Sequence, residues 1–415
     1  MAVSVRTIRT AVPPTVIRQQ RVRDLFAAQP GLGRLGERLV ATSFDASGIE
    51  TRHTVVTDFA AATAEPDDAS EHDSNDSNGS NGEQDHRSEG GAPGIGFIDP
   101  ASRVLLHPST RHRNELYTVE AAALSVEAAR AALDASPEFG AADVTHVITV
   151  SCTGFFSPGP DYVLVRQLGL DPGVQRFHVG FMGCYAAFPA LKMAKAFCEA
   201  DAEAVVLVVS VELCTLHVRS SSDPDQIVAS SVFADGAAAA IVSGREARPG
   251  VDVPGADRTR AVLELDAFAT TLTPTGEEAM AWTIGDHGFE MILSTYVPKI
   301  IDEHITGALE PLLQGTPTSA VERWAIHPGG RSILDRVQSK LALSDTQLEP
   351  SRQVLRQYGN MSSATILFVL ERILADASAE QGAEGSAARR ERVCAMAFGP
   401  GLTVETGLFT VAEAV

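Results

Sequence analysis

The 415-residue sequence is short of basic residues and of long apolar runs, and each shortage excludes a class of protein. It contains 33 Lys and Arg residues against 53 Asp and Glu residues, which leaves a formal net charge of −20. Because nothing would offset the repulsion from phosphates, this balance argues against nucleic-acid binding. No run approaches the roughly 18 consecutive apolar residues of a membrane-spanning helix. We therefore expect neither a nucleic-acid partner nor a membrane span.

Cysteines are also few, and their spacing is typical neither of a disulfide framework nor of a zinc site. They form no CxxC motif and no Cys/His cluster, so a structural metal is not expected. The N-terminal residues MAVSVRTIRTAVPP contain no apolar signal core. These observations predict a cytoplasmic protein with reduced thiols. The five cysteines are Cys152, Cys184, Cys198, Cys214 and Cys394.

Length and local composition predict two folded halves and one insertion. The length is consistent with two or three domains, or with one large α/β body made of two halves. Residues 64–94 hold nine acidic residues and one basic residue, and they lack aromatic and β-branched side chains. Such a stretch cannot bury enough apolar area to offset its ordering entropy, so we expect a disordered acidic insertion. The Gly- and Pro-rich stretch 244–257 separates an N-terminal half, 1–243, from a C-terminal half, 258–415.

Short apolar runs alternate with helical patterns along both halves. The runs, most of them rich in Val and Ile, predict buried strands at 144–150, 205–210, 237–242, 324–326 and 393–398. Helical periodicity predicts helices at 116–132, 186–200, 289–309 and 362–375. This alternation favours a layered α/β fold with mostly parallel sheets.

Cys184 stands out among the cysteines by its local sequence. It follows a predicted strand and a tight turn, FHVGFMGC, and a predicted helix begins directly after it. A thiol at a helix N-terminus lies near unpaired N–H groups and the positive end of the dipole, which stabilise the thiolate. Such a cysteine is a good nucleophile and, as a thioester, a good acyl carrier. The competing interpretation is a buried cysteine that acts as a small hydrophobic residue.

His327 and Asn360 lie in comparable positions later in the chain. His327 follows a predicted strand in WAIHPGG, and Asn360 occupies the turn before a helix in YGNMSSATILFVLER. Either residue alone is typical of a structural role, as a strand-end histidine or a turn residue. Together with Cys184 they suit a thioester site, because an imidazole and an amide both donate hydrogen bonds to a thioester oxygen. These donors can stabilise the enolate formed when a malonyl thioester loses carbon dioxide.

Seven motifs carry a resemblance to a known family. They are VSCTGFFSPGPDYVLVRQLGL, GFMGCYAAFPALKMAKAFC, VSVELCTLHVR, SSVFADGAAAAIV, WAIHPGGRSILD, YGNMSSATILFVLER and AFGPGLTVETGLF. The chain resembles the type III polyketide synthases, the chalcone/stilbene synthase superfamily of thiolase-like condensing enzymes. The resemblance runs from Val3 to the C-terminus and excludes only the acidic insertion.

The resemblance implies a fold, an activity and a catalytic set. It implies a thiolase-like αβαβα fold of two pseudo-symmetric halves, a homodimer, and an acyltransferase of the EC 2.3.1 class. The family's nucleophile, histidine and asparagine fall on Cys184, His327 and Asn360. Its gatekeeper phenylalanine, in the F-x-D-G-A motif, falls on Phe233, which would help to orient decarboxylation. CoA thioesters are implied as substrates, and no cofactor or metal is implied.

The segments GFMGCYAAFPAL and ELCTLHV are most similar to those of bacterial enzymes that make long-chain alkylresorcinols or alkylpyrones. That resemblance implies a fatty acyl-CoA starter, a few extensions with malonyl-CoA, and cyclisation, with a preference for resorcinol products. Starter length, number of extensions and ring type stay open. So does the possibility that an acyl-carrier protein, rather than CoA, delivers the starter.

Further residues are implied to contact the substrates. Ser157 falls where a methionine projects into the partner subunit's cavity, and a smaller side chain leaves room for a long acyl tail. Trp282 falls on a wall segment, where its ring would steer the folding of the growing chain. Arginines near the family's CoA-binding positions could pair with the phosphates. The complete predicted set is Cys152, Ser157, Cys214, His217, Phe233, Trp282, Ser362, Phe398 and Gly399 for substrate, and Arg34, Arg38 and Arg52 for CoA.

Other functions share part of this pattern. A ketoacyl-ACP synthase III-like enzyme would use the same three catalytic residues for a single condensation, but the GPG loop and the F-x-D-G-A motif argue against it. A Cys–His–Asn thioester hydrolase fits the residue order but not the surrounding α/β pattern. A non-catalytic acyl-binding protein would not need the intact triad.

Overall fold

The computed structural model describes residues 2–63, 96–245, 260–381 and 390–413, and thirteen strands and eleven helices lie within them. The predicted acidic insertion 64–94 lies outside the described residues. The strands are β1 (Ser4–Ala11), β2 (Thr15–Arg18), β3 (Thr51–Thr54), β4 (His146–Ser151), β5 (Gln175–Gly180), β6 (Val205–Leu213), β7 (Asp235–Ser243), β8 (Ala261–Leu272), β9 (Met280–Gly285), β10 (Gly288–Leu293), β11 (Arg323–Ile326), β12 (Glu391–Gly399) and β13 (Thr403–Glu413).

The helices alternate with these strands through both halves of the chain. They are α1 (Gln19–Ala27), α2 (Gly33–Ala46), α3 (Asp58–Thr63), α4 (Thr110–Asp134), α5 (Pro160–Leu168), α6 (Ala187–Ala200), α7 (Pro224–Val232), α8 (Val297–Leu313), α9 (Arg331–Leu341), α10 (Asp345–Tyr358) and α11 (Thr365–Gln381). None of these helices is both long enough and apolar enough to cross a membrane.

Nine strands form one mixed sheet in the order β11-β12-β13-β8-β1-β7-β6-β4-β5. Only the pairs β11/β12, β4/β6 and β4/β5 are parallel, and the other neighbours in the sheet are antiparallel. The prediction of mostly parallel sheets is therefore wrong. The short turn Pro400–Leu402 between β12 and β13 leaves no room for the long crossover that a parallel pair requires.

The pairing pattern occurs twice. The series β1-β7-β6-β4 is joined by two antiparallel pairs and then one parallel pair, and β8-β13-β12-β11 repeats that order. The helices repeat as well, since α4 and α8 precede β4 and β11, while α6 and α11 precede β6 and β12. This repetition confirms a layered α/β body of two pseudo-symmetric halves. The boundaries 1–243 and 258–415 stay predictions.

Three apolar cores hold together five layers, in which helices and strands alternate. The central core lies around α6 and α11, which are covered on both sides by strands of the two halves. A second core joins α4 to the outer face of the N-terminal strands, and a third joins α8 and α9 to the outer face of the C-terminal strands. The sequence of α6, AFPALKMAKAFCEA, is apolar around much of its circumference because a helix in the middle layer is enclosed by both sheets.

All five predicted strands are present, but the predicted helix 289–309 is not one element. The chain forms β10 first and enters α8 only at Val297. In FEMIL, Phe289 and Met291 are buried while Glu290 is exposed, a period of two that suits a strand paired with β9. A short apolar run cannot be assigned to helix or strand from its composition alone.

Candidate active site

Cys184, His327 and Asn360 lie in three different loops and line one cavity of about 450 Å³. Cys184 lies in the turn between β5 and α6, His327 directly follows β11, and Asn360 follows α10. Phe233 and Phe398 line the same cavity. The three residues of the predicted catalytic set, of which Cys184 and Asn360 are 176 positions apart in the chain, therefore line the same cavity.

The turn before Cys184 needs unusual backbone geometry. Gly183 adopts φ +81°, and a Cβ on it would approach the Pro400 ring at 2.6 Å. The amide of Ala186 donates to the Gly183 carbonyl at 3.0 Å, which closes the turn around the thiol. Glycine at position 183 therefore lets the nucleophile loop lie against the turn that joins β12 to β13.

The environment of Cys184 does not favour the thiolate. Burial raises the pKa of the Cys184 thiol to about 11, although hydrogen bonds with the Ser362 and Asn360 side chains act in the opposite direction. The expectation that the helix N-terminus lowers this pKa is therefore wrong. The first helical residue is Ala187, and loss of hydration outweighs the dipole at a residue this deeply buried. Acyl transfer to Cys184 consequently needs a proton acceptor.

His327 has the properties of such an acceptor. Its ring is 1% exposed, and neither ring nitrogen has a hydrogen-bond partner among the described residues. Burial lowers the pKa of the imidazole to about 3, so the ring is neutral at physiological pH. A neutral imidazole offers one nitrogen that accepts and one N–H that donates. Two buried, unpaired nitrogens beside a cavity leave both hydrogen-bonding positions of the ring available to a substrate.

Asn360 is held in a fixed orientation by its neighbours. Its backbone N–H donates to the Val232 carbonyl, and its carbonyl accepts from the Ala234 N–H, both at 2.9 Å. The side-chain oxygen accepts from the Ser362 N–H at 2.9 Å, and the amide nitrogen donates to the Gly329 carbonyl at 3.3 Å. The amide N–H₂ is therefore directed toward the loop that follows His327. These bridges also fix Phe233, which lies between Val232 and Ala234.

A buried carboxylate behind the cavity was not predicted from the sequence. Glu212 on β6 is 0% exposed and accepts hydrogen bonds from the Cys152 N–H at 3.0 Å and the Thr153 hydroxyl at 2.8 Å, and also from Ser363. Burial raises the pKa of Glu212, and the surrounding donors oppose that shift. The only sequence signal is a single acidic residue within the apolar run VVLVVSVEL.

Cys152 lies behind the nucleophile and does not line the cavity. Its sulfur is 3.3 Å from the Ser362 hydroxyl, which also forms a hydrogen bond with Cys184. Burial raises the pKa of the Cys152 thiol, and the Glu212 carboxylate raises it further. Ser362 therefore contacts both Cys184 and Cys152. The prediction that Cys152 and Ser362 line the substrate cavity is not met.

An aromatic cluster fills the space next to Phe233. His217 stacks on Phe289 with ring centroids 4.1 Å apart, and the Trp282 ring meets Phe233 edge-on at 5.9 Å. His217 donates to the Thr153 carbonyl at 2.7 Å and accepts from the Phe289 N–H at 3.0 Å, and burial lowers its pKa to about 3. The cavity left among these rings and Cys214 is only about 20 Å³.

The remaining predicted substrate residues fall in two places. Gly399 lies at the end of β12 beside Phe398, and a Cβ on it would approach the Tyr185 ring at 2.4 Å, so only glycine fits. Ser157 is exposed in the loop after β4 and does not line the cavity of its own chain.

The predicted CoA contacts need a correction at Arg52. Its side chain is buried, and Nη1 donates to the carbonyls of Ser230 at 2.9 Å and Phe233 at 2.6 Å. The prediction that Arg52 binds CoA is wrong, because this guanidinium supports the loop that carries Phe233. Arg34 and Arg38 are exposed on α2 but do not line the cavity.

Two other arginines do line the cavity, and sequence reasoning missed them. They are Arg331 and Arg336, both exposed on α9 in the motif HPGGRSILDR. Arg331 lies 3.5 Å from the Asp335 carboxylate. Because this ion pair is exposed and contributes little stability, an anion of higher charge can replace Asp335 as the partner of Arg331. The only sequence signal is their position shortly after His327.

Comparison with known proteins agrees with this geometry. The N-terminal and C-terminal domain models of the chalcone and stilbene synthases match residues 98–246 and 264–412, together well over half of the chain. The fold is similar to the crystal structure of PKS-I from the brown alga Ectocarpus siliculosus, with a TM-score of 0.81 and 25% identity over 99% of this chain and 98% of that one. It is also similar to the C-terminal type III polyketide synthase domain of Steely1 from Dictyostelium, with a TM-score of 0.77 and 25% identity over 100% of both chains.

The chain therefore belongs to the chalcone and stilbene synthase family, whose members are type III polyketide synthases. These enzymes are acyltransferases of the EC 2.3.1 class that use acyl-CoA and malonyl-CoA as substrates. The predicted thiolase-like fold is confirmed.

Proposed function

We propose that this protein extends a fatty acyl-CoA with malonyl-CoA by repeated decarboxylative condensation and then closes the chain to an alkylresorcinol or alkylpyrone. The observation that carries the proposal is the convergence of Cys184 with the two unpaired nitrogens of His327 and the amide of Asn360 on one cavity. A nucleophile, a proton acceptor and two hydrogen-bond donors are what acyl transfer and enolate formation require.

The loading step transfers the starter acyl group to sulfur. His327 accepts the Cys184 proton, the thiolate attacks the acyl-CoA carbonyl, and the proton passes to the departing CoA thiolate. His327 is given this role because its ring is neutral before the step and neither of its nitrogens has a hydrogen-bond partner among the described residues. The product of the step is a thioester on Cys184 and free CoA.

The extension step uses the same donors on the second substrate. Malonyl-CoA loses carbon dioxide, and N–H groups of His327 and Asn360 hold the enolate oxygen that forms. The enolate carbon attacks the Cys184 thioester, the new carbon–carbon bond forms, and the carbon–sulfur bond breaks. Transfer of the β-ketoacyl chain from CoA back to Cys184 prepares the next round, and intramolecular aldol or lactone closure ends the series.

The wall of the cavity supports an aliphatic starter. Most of its lining surface is apolar, and apolar side chains reach it from α7, the β9–β10 hairpin, α8 and α9. A starter with hydroxyl or other polar groups would leave those groups unpaired against such a wall. The side chains that support this point are Val228, Val232, Met280, Met291, Leu293, Val297 and Ile333.

The experiment that tests the function is incubation with labelled malonyl-CoA and a series of acyl-CoA starters of increasing chain length. Products containing several malonyl-derived units are expected with long aliphatic starters. A single condensation would instead indicate a ketoacyl synthase III-like enzyme, and free fatty acid without malonyl consumption would indicate a hydrolase. A parallel series with starters on an acyl-carrier protein decides between CoA and carrier delivery. No labelled product from any starter contradicts the proposal.

Trp282 is expected to limit starter length. Replacing Trp282 by alanine removes the ring that closes the space beside Phe233, so the acyl tail gains room. We expect kcat/KM for a long acyl-CoA, relative to that for a short one, to rise about tenfold or more. Ile284→Ala is the matched control, because Ile284 lies on the same hairpin but is 53% exposed. Equal effects of the two substitutions would contradict this role.

Arg331 and Arg336 are proposed to bind the CoA phosphates. The double variant Arg331→Gln/Arg336→Gln is expected to raise KM for malonyl-CoA about tenfold with little change in kcat, because two charge-assisted contacts are lost. Arg166→Gln is the control, since Arg166 is exposed on α5 and does not line the cavity. An unchanged KM in the double variant would exclude both arginines as phosphate contacts.

We also propose a homodimer that forms along β5 in the cytoplasm. Strand β5 is the last of the nine-stranded sheet, and exposed Phe155 and Phe181 lie beside it with ring centroids 5.7 Å apart. An edge strand with an apolar flank is suited to pairing with a second copy. Ser157 is exposed in the same loop, which agrees with a position facing the partner subunit. A monomeric mass by light scattering would contradict this assembly.

A further inference from the structure

A second cavity of about 440 Å³ has a lining distinct from that of the catalytic cavity. It is bounded by β1, the start of β8, and the helices α10 and α11. It shares no lining residue with the catalytic cavity. Its volume lies within the roughly 300–1,000 Å³ of small-molecule sites.

Positive charge dominates the lining of this cavity. Four arginines contribute to it, whereas Glu371 is the only acidic residue among the described residues that line it. Such a local excess of cations is unusual in a chain with a formal net charge of −20. Clustered guanidinium groups are the preferred partners of carboxylates and phosphates. The four arginines are Arg6, Arg9, Arg260 and Arg372.

Three of these arginines already have acidic neighbours. Arg9 lies 3.8 Å from the Glu371 carboxylate, and Arg372 lies 3.3 Å from that of Asp376, in pairs that are partly exposed. Arg260 forms a closer pair with Glu138 at 2.5 Å. Exposed pairs of this kind contribute little stability, so Arg9 and Arg372 can turn toward another anion at low cost.

Arg6 is the exception. Its side chain is buried, with the residue only 7% exposed, and Nη2 donates to the Arg245 carbonyl at 2.6 Å. Its Nε has no hydrogen-bond partner, and among the described residues no carboxylate forms an ion pair with it. Burial lowers the pKa of this guanidinium, and the charge of Glu138 acts in the opposite direction. Glu138 forms its ion pair with Arg260, so the buried Arg6 cation has no carboxylate partner of its own among the described residues.

The same cavity also has an apolar part to its lining. Val354 and Tyr358 from α10 and Phe368 and Leu374 from α11 contribute to it, beside polar groups such as Gln353. The side-chain oxygen of Gln353 lacks a partner. A ligand that combines an anionic group with an apolar body can contact both the arginines and these apolar side chains.

We propose that this cavity binds an amphiphilic anion, with its charged group held by Arg6, Arg9 and Arg372 and its apolar body against Val354, Phe368 and Leu374. The site is separate from the catalytic cavity and independent of the function proposed for that cavity. Fatty carboxylates have the required chemistry, and decanoate is a suitable probe.

The test is calorimetric titration of the full-length protein with decanoate. Saturable binding is expected, and the double variant Arg9→Gln/Arg372→Gln is expected to raise Kd at least about tenfold, since two charge-assisted contacts are lost. Ala375→Phe, at an exposed position of α11 that lines the cavity, is expected to block binding by filling the space. Both variants change exposed positions, so folding is not at risk as it would be for Arg6.

Two control variants and two control ligands make the result specific. Arg166→Gln on α5 and Arg336→Gln at the catalytic cavity are expected to leave Kd unchanged. Decanol and inorganic phosphate, which each lack one part of the ligand, are expected to bind at least about tenfold more weakly than decanoate. Absence of saturable binding, an unchanged Kd in Ala375→Phe, or equal affinity for either control ligand would overturn the proposal.

Discussion

Replacement of Cys184 by alanine is expected to lower polyketide formation at least about a thousandfold, because Cys184 is the only thiol among the described residues that line the cavity. Decarboxylation of malonyl-CoA is expected to persist in the same variant. The enolate oxygen is bound by His327 and Asn360, and neither loses its position when the thiol is removed. The neighbouring Ser362 hydroxyl keeps its contact with Cys152. The two activities should therefore separate.

The measurement is release of labelled carbon dioxide and acetyl-CoA from carboxyl-labelled malonyl-CoA, beside mass analysis of polyketides. Cys198→Ala is the matched control, since Cys198 is also buried but lies within α6, with its sulfur 3.8 Å from the Ala204 carbonyl. That variant should keep both activities. Polyketide formation by a folded Cys184→Ala protein would remove Cys184 from the mechanism. Loss of decarboxylation together with condensation would contradict the separation of roles.

The site residues that could be identified from the sequence are those of a chemically distinctive type that lie next to the end of a strand or helix. Cys184, His327 and Asn360 each lie close after a recognisable strand or helix, and each adjoins a glycine- or serine-containing turn, which precedes Cys184 and follows the other two. Because such junctions gather at one edge of a layered α/β fold, their convergence could be expected. The alternation of apolar runs with helical patterns predicted a layered α/β fold, whereas the two pseudo-symmetric halves were expected only from the family resemblance.

Burial, however, could not be predicted from the local sequence. Arg52 is a basic residue near the expected CoA site, yet it lies on β3 beneath the loop of Phe233, where backbone carbonyls satisfy it. The thiol of Cys184 was expected to be acidic from its helix, and its pKa is raised because the surrounding layers exclude water. Both errors arise from contacts between residues that are distant in the chain.

The relative direction of neighbouring strands could not be predicted from the sequence, for a related reason. The apolar runs of β6 and β7 suit buried strands of either orientation, and only the path of the chain between them decides that they pair antiparallel. The network around Glu212 likewise joins β4, β6 and the loop before α11, and its only trace in the sequence is one acidic residue in an apolar run.

Replacement of His327 by alanine is expected to lower malonyl-CoA decarboxylation about a hundredfold or more, because one of two preorganised donors to the enolate is removed. The same change is expected to alter the pH dependence of starter loading. The pKa of the Cys184 thiol is about 11, so without a base its thiolate fraction at neutral pH is small and rises about tenfold per pH unit. In the wild type, His327 takes the proton directly and the profile is flatter.

Single-turnover acylation of the intact protein, followed by mass spectrometry from about pH 7 to about pH 9, measures this difference. His217 provides a matched comparison, because burial lowers its pKa to about 3 as it does for His327, but both of its ring nitrogens are already hydrogen-bonded. His217→Phe should lower thermal stability, since the Thr153 carbonyl and the Phe289 N–H lose their partner, and it should keep decarboxylation within about tenfold of the wild type. A shared pH slope in wild type and His327→Ala would exclude His327 as the proton acceptor. An equal loss of decarboxylation in both histidine variants would show that an unpaired ring nitrogen is not what the reaction requires.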